Sequence, residues 1–384
     1  MPNGLIRRIE KIGNPNSKLE EVYFRLFIRF KMTDSKYDRQ LRLWGKHGQS
    51  YLSEAKILCT GSSVVLVEAL KNLILPGIGF IGISNDGMIV SETDLGNNFY
   101  LGPKDLGRNR CHSVVEELGK LNPTDCRIEI FSDVSKDIEF DILLTDRSVL
   151  CDNICATHIV QIACSGFKGN IEIIGPAHIV IESHENKVPD YRLSNPWPEL
   201  SVWALEQKEG PFFAQLIANE TSEETKLNAY LLTALVPEDE VLTELTNIID
   251  KAPRTEFNIK VVSVIKAVLH FHSLHHVLPL SVTNLPDMKC STEVYTELVQ
   301  IYKTKFMKDL AEVKLMVDLD KEFVEWIVRN IRNLSLVEFS NQPRQTETGT
   351  CLNAISTIVG SVAAQEIVKL ITHQFVPQCE WELD

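Results

Sequence analysis

Ile57-Leu58-Cys59-Thr60-Gly61-Ser62-Ser63-Val64-Val65-Leu66 decides the fold. Three apolar residues just before a glycine read as a short buried strand at 57–59. Gly61-Ser62-Ser63 is the turn after it. Residues 64–75 carry a helical pattern, and Pro76-Gly77 stops it. A second strand follows at 79–84 and closes on Asn85-Asp86-Gly87, a turn signal. Further out, the pattern predicts a helix over 108–121, ended by Asn122-Pro123, and strands at 127–131 and 141–144. The run 154–165 is expected to be another helix, and 170–174 with 178–181 a hairpin or edge strands. Strands alternating with helices mean βαβ units and a mostly parallel sheet. The expected class is α/β, a Rossmann-like doubly wound sheet.

The character changes at Asn195-Pro196-Trp197-Pro198. From about 201 to 335 the chain reads as mainly helical, with amphipathic stretches at 225–235, 240–249, 261–276 and 294–317. Residues 341–350 read as a loop. Residues 354–370 then form an apolar helix with the small residues Gly360, Ser361, Ala363 and Ala364, and 374–377 is a last strand candidate. The expected layout is a nucleotide-binding-type domain over 32–200, an inserted mainly helical domain over 201–340, and a return over 341–384. Residues 1–31 hold seven Lys and Arg against three Glu. They are expected to be an upstream extension, with Met32 as the usual start. A targeting peptide is the alternative.

Composition excludes some classes of function. Net charge is −13, which argues against a general basic surface for nucleic acid. Nine cysteines without a C-x-x-C pair argue against a structural zinc site and fit a reducing compartment. The longest apolar candidate, 64–75, is broken by Glu68, Lys71 and Asn72 and falls short of the roughly 18 residues a membrane span needs. No nucleic-acid or membrane partner is therefore expected. The expected location is cytoplasmic, with the nucleus as a second compartment.

A strand–glycine turn–helix is where a doubly wound fold binds phosphate. Glycines let the backbone approach the anion, and the helix N-terminus supplies free N–H groups. An acidic residue after the next strand would hold a ribose, and Asp86 sits there. Only Gly61 of a G-x-G-x-x-G pattern is present. Val64 and Leu66 are expected to put branched side chains where a phosphate would lie. The loop thus reads as a retained fold with a lost ligand. His270, His272, His275 and His276 read as a histidine cluster at a helix C-terminus, favoured there by the dipole, rather than as metal ligands.

Tyr37-Asp38-Arg39-Gln40-Leu41-Arg42-Leu43-Trp44-Gly45 resembles the N-terminal signature of ubiquitin-activating-type enzymes, the ThiF/MoeB-like superfamily, in the form typical of the neddylation (Rub-type) branch. Leu75-Pro76-Gly77-Ile78-Gly79 is similar to the turn after that family's first helix. Gly96-Asn97-Asn98-Phe99, Val180-Ile181-Glu182-Ser183-His184, Leu285-Pro286-Asp287-Met288 and Gln374-Phe375-Val376-Pro377 resemble the regulatory, non-catalytic subunit. The resemblance implies an adenylation fold whose active members bind ATP and magnesium through a glycine-rich loop, an Arg, a Lys and an Asp. At the matching places this chain has Ser63, Val64 and Leu66 for glycines, Asn97 for the Arg and Arg110 for the Lys. Gly61, Asp86, Asn97, Arg110 and Asp146 would then be a vestigial nucleotide pocket. Asp146 alone still matches the magnesium-binding Asp, a place where an Asp is also common as a helix N-cap.

The resemblance further implies a heterodimer with a catalytic subunit that binds ATP and magnesium, leaving no cofactor in this chain. Arg39 would reach in trans to the partner's ATP phosphates, in the manner of an arginine finger. Its bland reading is a surface arginine pairing with Asp38 or capping a helix end. Arg42 is a weaker candidate, and Trp44 reads as core. Cys290 sits beside Lys289 in the insertion without the catalytic role that active members give a cysteine there. The substrate would be a ubiquitin-like modifier of the neddylation type. Three rivals stand beside this reading: a self-sufficient adenylating enzyme, an NAD-binding oxidoreductase, and a scaffold that contributes nothing to the ATP site.

Overall fold

A computed structural model describes residues 36–134, 138–146, 154–183, 192, 196–206, 238–282, 285, 291–340, 349 and 351–383. The expectations for 1–31, the helix at 225–235, nearly all of the loop 341–350, and Cys290 lie outside these residues.

The first helix, α1 (Asp38–Glu54), is broken at Gly45 (φ 67°, ψ −175°), a left-handed backbone that glycine adopts at little cost. Its first half is tied down from both ends. Tyr37 is buried, donates to Asp125 at 2.8 Å and accepts from Asn122 at 2.9 Å. Trp44 donates to Gln49 at 3.0 Å, and Gln49 donates to the Pro76 carbonyl at 2.8 Å. Gly77 (φ +94°) is required here, because a Cβ would lie 2.7 Å from the Tyr37 hydroxyl. The N-terminal segment thus docks on the turn that ends the next helix.

The quoted stretch forms strand–turn–helix as its pattern predicts: β1 (Lys56–Cys59), then α2 (Val64–Ile74), then β2 (Phe80–Ser84). The short α3 (Glu92–Asn97), α4 (Arg110–Leu118), β3 (Arg127–Phe131) and β4 (Glu139–Thr145) follow. Residues 154–165 depart from expectation. They form not a helix but the strand β5 (Cys155–Ser165). It lies between β4, parallel, and β6 (Lys168–Ile174), antiparallel. The seven-stranded sheet runs β3-β2-β1-β4-β5-β6 and ends on the strand Glu380–Leu383, β9, with β3 through β5 parallel.

The last strand also moves. β9 is Glu380–Leu383, antiparallel to β6, and not 374–377. Phe375 there has φ +61°, and Pro377 has no N–H to give a ladder. Residues 170–174 and 178–181 make no hairpin with each other. β7 (His178–Val180) instead pairs with β8 (Ser335–Val337) in a separate two-stranded sheet.

The helix α10 (Asn353–Thr372) is longer than 64–75, long and apolar enough by composition to cross a membrane. It is a core helix, packed on α1, α2, β5 and β6. Gly360 permits the crossing, since a Cβ there would meet the Val65 carbonyl oxygen at 2.7 Å. A second core gathers α5 (Pro198–Glu206), α6 (Glu238–Lys251), α7 (Glu256–His275), α8 (Thr292–Leu315) and α9 (Lys321–Arg329). Phe271, Tyr302 and Phe306 fill it, and Ile179 and Ile181 join it from the β7 segment.

Candidate functional site

The β1–α2 turn faces the end of β2, and the two are stitched together. Asp86 Oδ2 accepts from the Ser62 backbone N–H at 3.1 Å and from its hydroxyl at 3.0 Å. The other oxygen accepts from the Met88 N–H at 3.0 Å. Arg110, in the first turn of α4, pairs with Asp86 at 3.2 Å and with Asp94 at 3.3 Å, and donates to the Ser62 hydroxyl at 3.0 Å. The Asp86 side chain is 3% exposed and that of Arg110 15%. Burial pushes the Asp86 carboxyl up, but the Met88 N–H, the Arg110 charge and Ser62 outweigh it and hold the carboxyl below its usual range. Asp94 behaves alike, its desolvation outweighed by the Ser91 N–H and hydroxyl and by Arg110.

The carboxylate placed for a ribose is therefore spent on the turn's own N–H and on one guanidinium. A phosphate arriving here would compete with a fixed carboxylate for the same donors. Ser63, at the N-cap of α2, makes no cap hydrogen bond, and its hydroxyl is buried without a partner among the described residues. One expectation needs correcting. Leu66 does not face the place of a phosphate, because it is fully buried in the core beneath the sheet-packed helix. Val64 is half-buried.

Asp86 and Arg110 are thus in contact, and Gly61 (φ 134°) stands in the β1–α2 turn beside Ser62, which bonds to both. Asn97 closes α3, half-buried. Among the described residues it makes no hydrogen bond to the Arg110–Asp86 pair. Asp146 follows β4, half-buried. The Cys59 thiol is pushed well up, first by burial and then by the Asp146 charge. The helix that Asp146 could cap is not at 154–165, which is β5. Ser62, Asp94 and Cys111, whose sulfur lies 3.4 Å from Asp86, complete the cluster. Sequence reading had not assigned them. Asp94 carried a weak signal, since Ser91-x-x-Asp94 is a capping-box spacing.

Arg39 lies elsewhere, exposed on the first half of α1. The pairing with Asp38 is taken by Arg42, at 2.9 Å, as an exposed i,i+4 pair. Among the described residues Arg39 has no ion-pair partner. Trp44 is buried in the core. In the histidine group, His275 meets Glu312 at 2.6 Å, and His276 adopts the left-handed turn that ends α7.

The ThiF family matches residues 37–174, from the Tyr37 anchor to the end of β6. The NEDD8-activating enzyme E1 regulatory subunit AXR1 of Arabidopsis thaliana is 30% identical over 83% of this chain and 69% of its own length. The chain belongs to the NEDD8-activating enzyme E1 regulatory subunit family. The regulatory subunit of Drosophila melanogaster is 25% identical over 90% of this chain and 79% of its own length. That of Xenopus laevis is 37% identical over 44% of this chain, and this chain spans 34% of the length of that relative. The α/β fold with its mostly parallel sheet is that of the family.

Proposed function

We propose that this chain is the regulatory half of a heterodimeric activating enzyme for a ubiquitin-like modifier of the NEDD8 type. It pairs with a catalytic subunit, which binds ATP and magnesium and adenylates the modifier. Arg39 enters that subunit's site and stabilises phosphate charge in trans, a fixed cation that needs no reorganisation as charge develops. This chain adenylates nothing alone. The observation that carries the reading is the contrast between two arginines. Arg110 is locked to Asp86 and Asp94 inside the site where a self-sufficient enzyme would need free cations and free loop N–H groups. Arg39 stands exposed on an anchored helix, with no ion-pair partner among the described residues. The modifier, the partner and the reaction come from the relatives' names and from this contrast.

The test is ATP–pyrophosphate exchange with a NEDD8-type modifier. The chain alone should give no exchange, and the catalytic subunit should gain activity when the chain is added. Exchange by the chain alone would establish the self-sufficient enzyme instead.

A further inference from the structure

Arg39 stands on a short span of helix with little beneath it. Gly45 breaks α1, so residues 38–44 form a piece of their own. A helix under about 12–15 residues is marginal in water unless packing holds it. From 38 to 43 no residue is buried. The Asp38–Arg42 ion pair on this span is exposed, and such pairs contribute little. The span hangs between two buried pegs, Tyr37 before it and Trp44 at its end.

The Trp44 peg is fixed by its indole and its carbonyl. Nε1 donates to Gln49 at 3.0 Å, and the carbonyl accepts from Gln374 Nε2 at 2.7 Å. Tyr37 is held by its hydroxyl, which donates to Asp125 Oδ2 at 2.8 Å and accepts from Asn122 Nδ2 at 2.9 Å. Asn122 is itself buried, and its Nδ2 also donates to the Ile74 carbonyl at 2.9 Å. That ties the hydroxyl to the end of α2. Lys36 donates to Asn122 and, at 2.7 Å, to Asp125. Burial pushes the Asp125 carboxyl up, but Lys36 and Tyr37 outweigh it and keep it a charged acceptor. Burial raises the Tyr37 hydroxyl above its usual value, so it stays a donor.

A phenyl ring would fill the same space. The hydroxyl adds direction, because hydrogen bonds weaken steeply off their axis. It also brings the ring so close to the Pro76-Gly77 turn that a Cβ on Gly77 would lie 2.7 Å from the oxygen. Tyr37 is the N-cap of α1, and its carbonyl accepts from the Leu41 N–H at 2.8 Å. The residue bonded to the core therefore starts the turn that carries Arg39.

We propose that Tyr37 is a positioning residue for Arg39: its hydroxyl, bonded to Asn122 and Asp125, fixes where the exposed turn bearing the arginine stands. This role rests on the reading of Arg39 as a cation given in trans and deepens it, by naming what holds that cation in place.

The test is ATP–pyrophosphate exchange by the pair reconstituted with the catalytic subunit and a NEDD8-type modifier. The chain is kept in saturating excess, so that weakened assembly does not count. Tyr37→Phe removes both bonds and keeps the ring. Asp125→Ala removes the acceptor and leaves Asn122 in place. The exchange rate should fall about ten- to a hundredfold for Tyr37→Phe, the scale of a catalytic group displaced by about 1 Å. Asp125→Ala should lower it several-fold, and affinity for the catalytic subunit should be unchanged in both. In an Arg39→Ala background neither substitution should lower the residual rate further, because the group they position is gone. If Tyr37→Phe does not fold, Asp125→Ala decides by the same comparison. An equal loss in both backgrounds marks an effect on fold or assembly and overturns the positioning role. Wild-type exchange in Tyr37→Phe and Asp125→Ala, with Arg39→Ala impaired, overturns it too and leaves the functional reading standing. Full exchange with Arg39→Ala alone overturns the reading of Arg39 and the positioning with it.

Discussion

Replacing Arg110 with methionine tests whether the closed pocket is structural. The side chain keeps an unbranched apolar stem but is shorter and loses its charge and its N–H donors. Asp86, with a side chain 3% exposed, then holds its carboxylate without the cation at 3.2 Å. Breaking a buried pair from one side costs about 3–5 kcal/mol. Asp86 retains the Met88 and Ser62 N–H groups and the Ser62 hydroxyl, so the lower end, about 3 kcal/mol, is expected. For a unit of this size that lowers the melting temperature by about 6–12 °C. Asp86→Asn alone should cost about 1–2 kcal/mol, because Arg110 keeps Asp94 and Ser62. The double variant should recover about 1–3 kcal/mol relative to the sum of the singles. Urea unfolding of the four proteins closes the cycle. The sign of the pH dependence is fixed as well. The folded Asp86 carboxyl titrates below its unfolded value, so its stabilisation is complete above about pH 4 and is lost as pH falls through the folded value. The gap between wild type and Arg110→Met should therefore narrow in acid. An Arg110→Met protein within about 0.5 kcal/mol of wild type, or strict additivity in the cycle, would refute the reasoning.

Two further outcomes follow from the packing. Gly360→Ala drives a methyl to 2.7 Å from the Val65 carbonyl and should cost about 1–3 kcal/mol, measured by thermal unfolding. His158 is 6% exposed, and burial lowers its pKa to about 4 despite its hydrogen bond to the Pro176 carbonyl. The unfolded chain takes up that proton first, so stability should fall as pH drops from about 6.5 to about 4, by about 3 kcal/mol in all. His158→Phe should flatten that slope in pH-dependent denaturation.

Much of the fold was legible because its signals are local. The Ile57 strand, the Gly61 turn and the Pro76-Gly77 stop each lie within a few residues of what they punctuate. The strand β5 was not legible. Eleven residues long, with a nearly continuous buried stretch from His158 to Cys164, it is covered by neighbours on both sides and has lost the period of two that marks a half-buried strand. Length then favoured a helix. β9 failed for another reason. Glu380–Leu383 alternates cleanly but is only four residues, and the more apolar Phe375-Val376 nearby drew the assignment. In the candidate site, the strand–turn–helix pattern placed Asp86, and the family resemblance placed Arg110, in one pocket. Neither could supply their pairing, or the roles of Ser62 and Asp94, because the partners lie 24 and 16 residues away and only the tertiary packing of α4 joins them. Leu66 was misplaced because a loop position was read without knowing which helix face turned inward.

The central claim is that Arg39 acts in the partner's site. Its direct measurement is the ATP–pyrophosphate exchange rate of the reconstituted pair with Arg39→Ala. The arginine is exposed and unpaired among the described residues, so the variant should fold and unfold within about 0.5 kcal/mol of wild type. It should still bind the catalytic subunit, while exchange falls by about a thousandfold, the scale of an arginine finger. An exchange rate equal to wild type in a correctly assembled pair would contradict the account and leave the chain a scaffold.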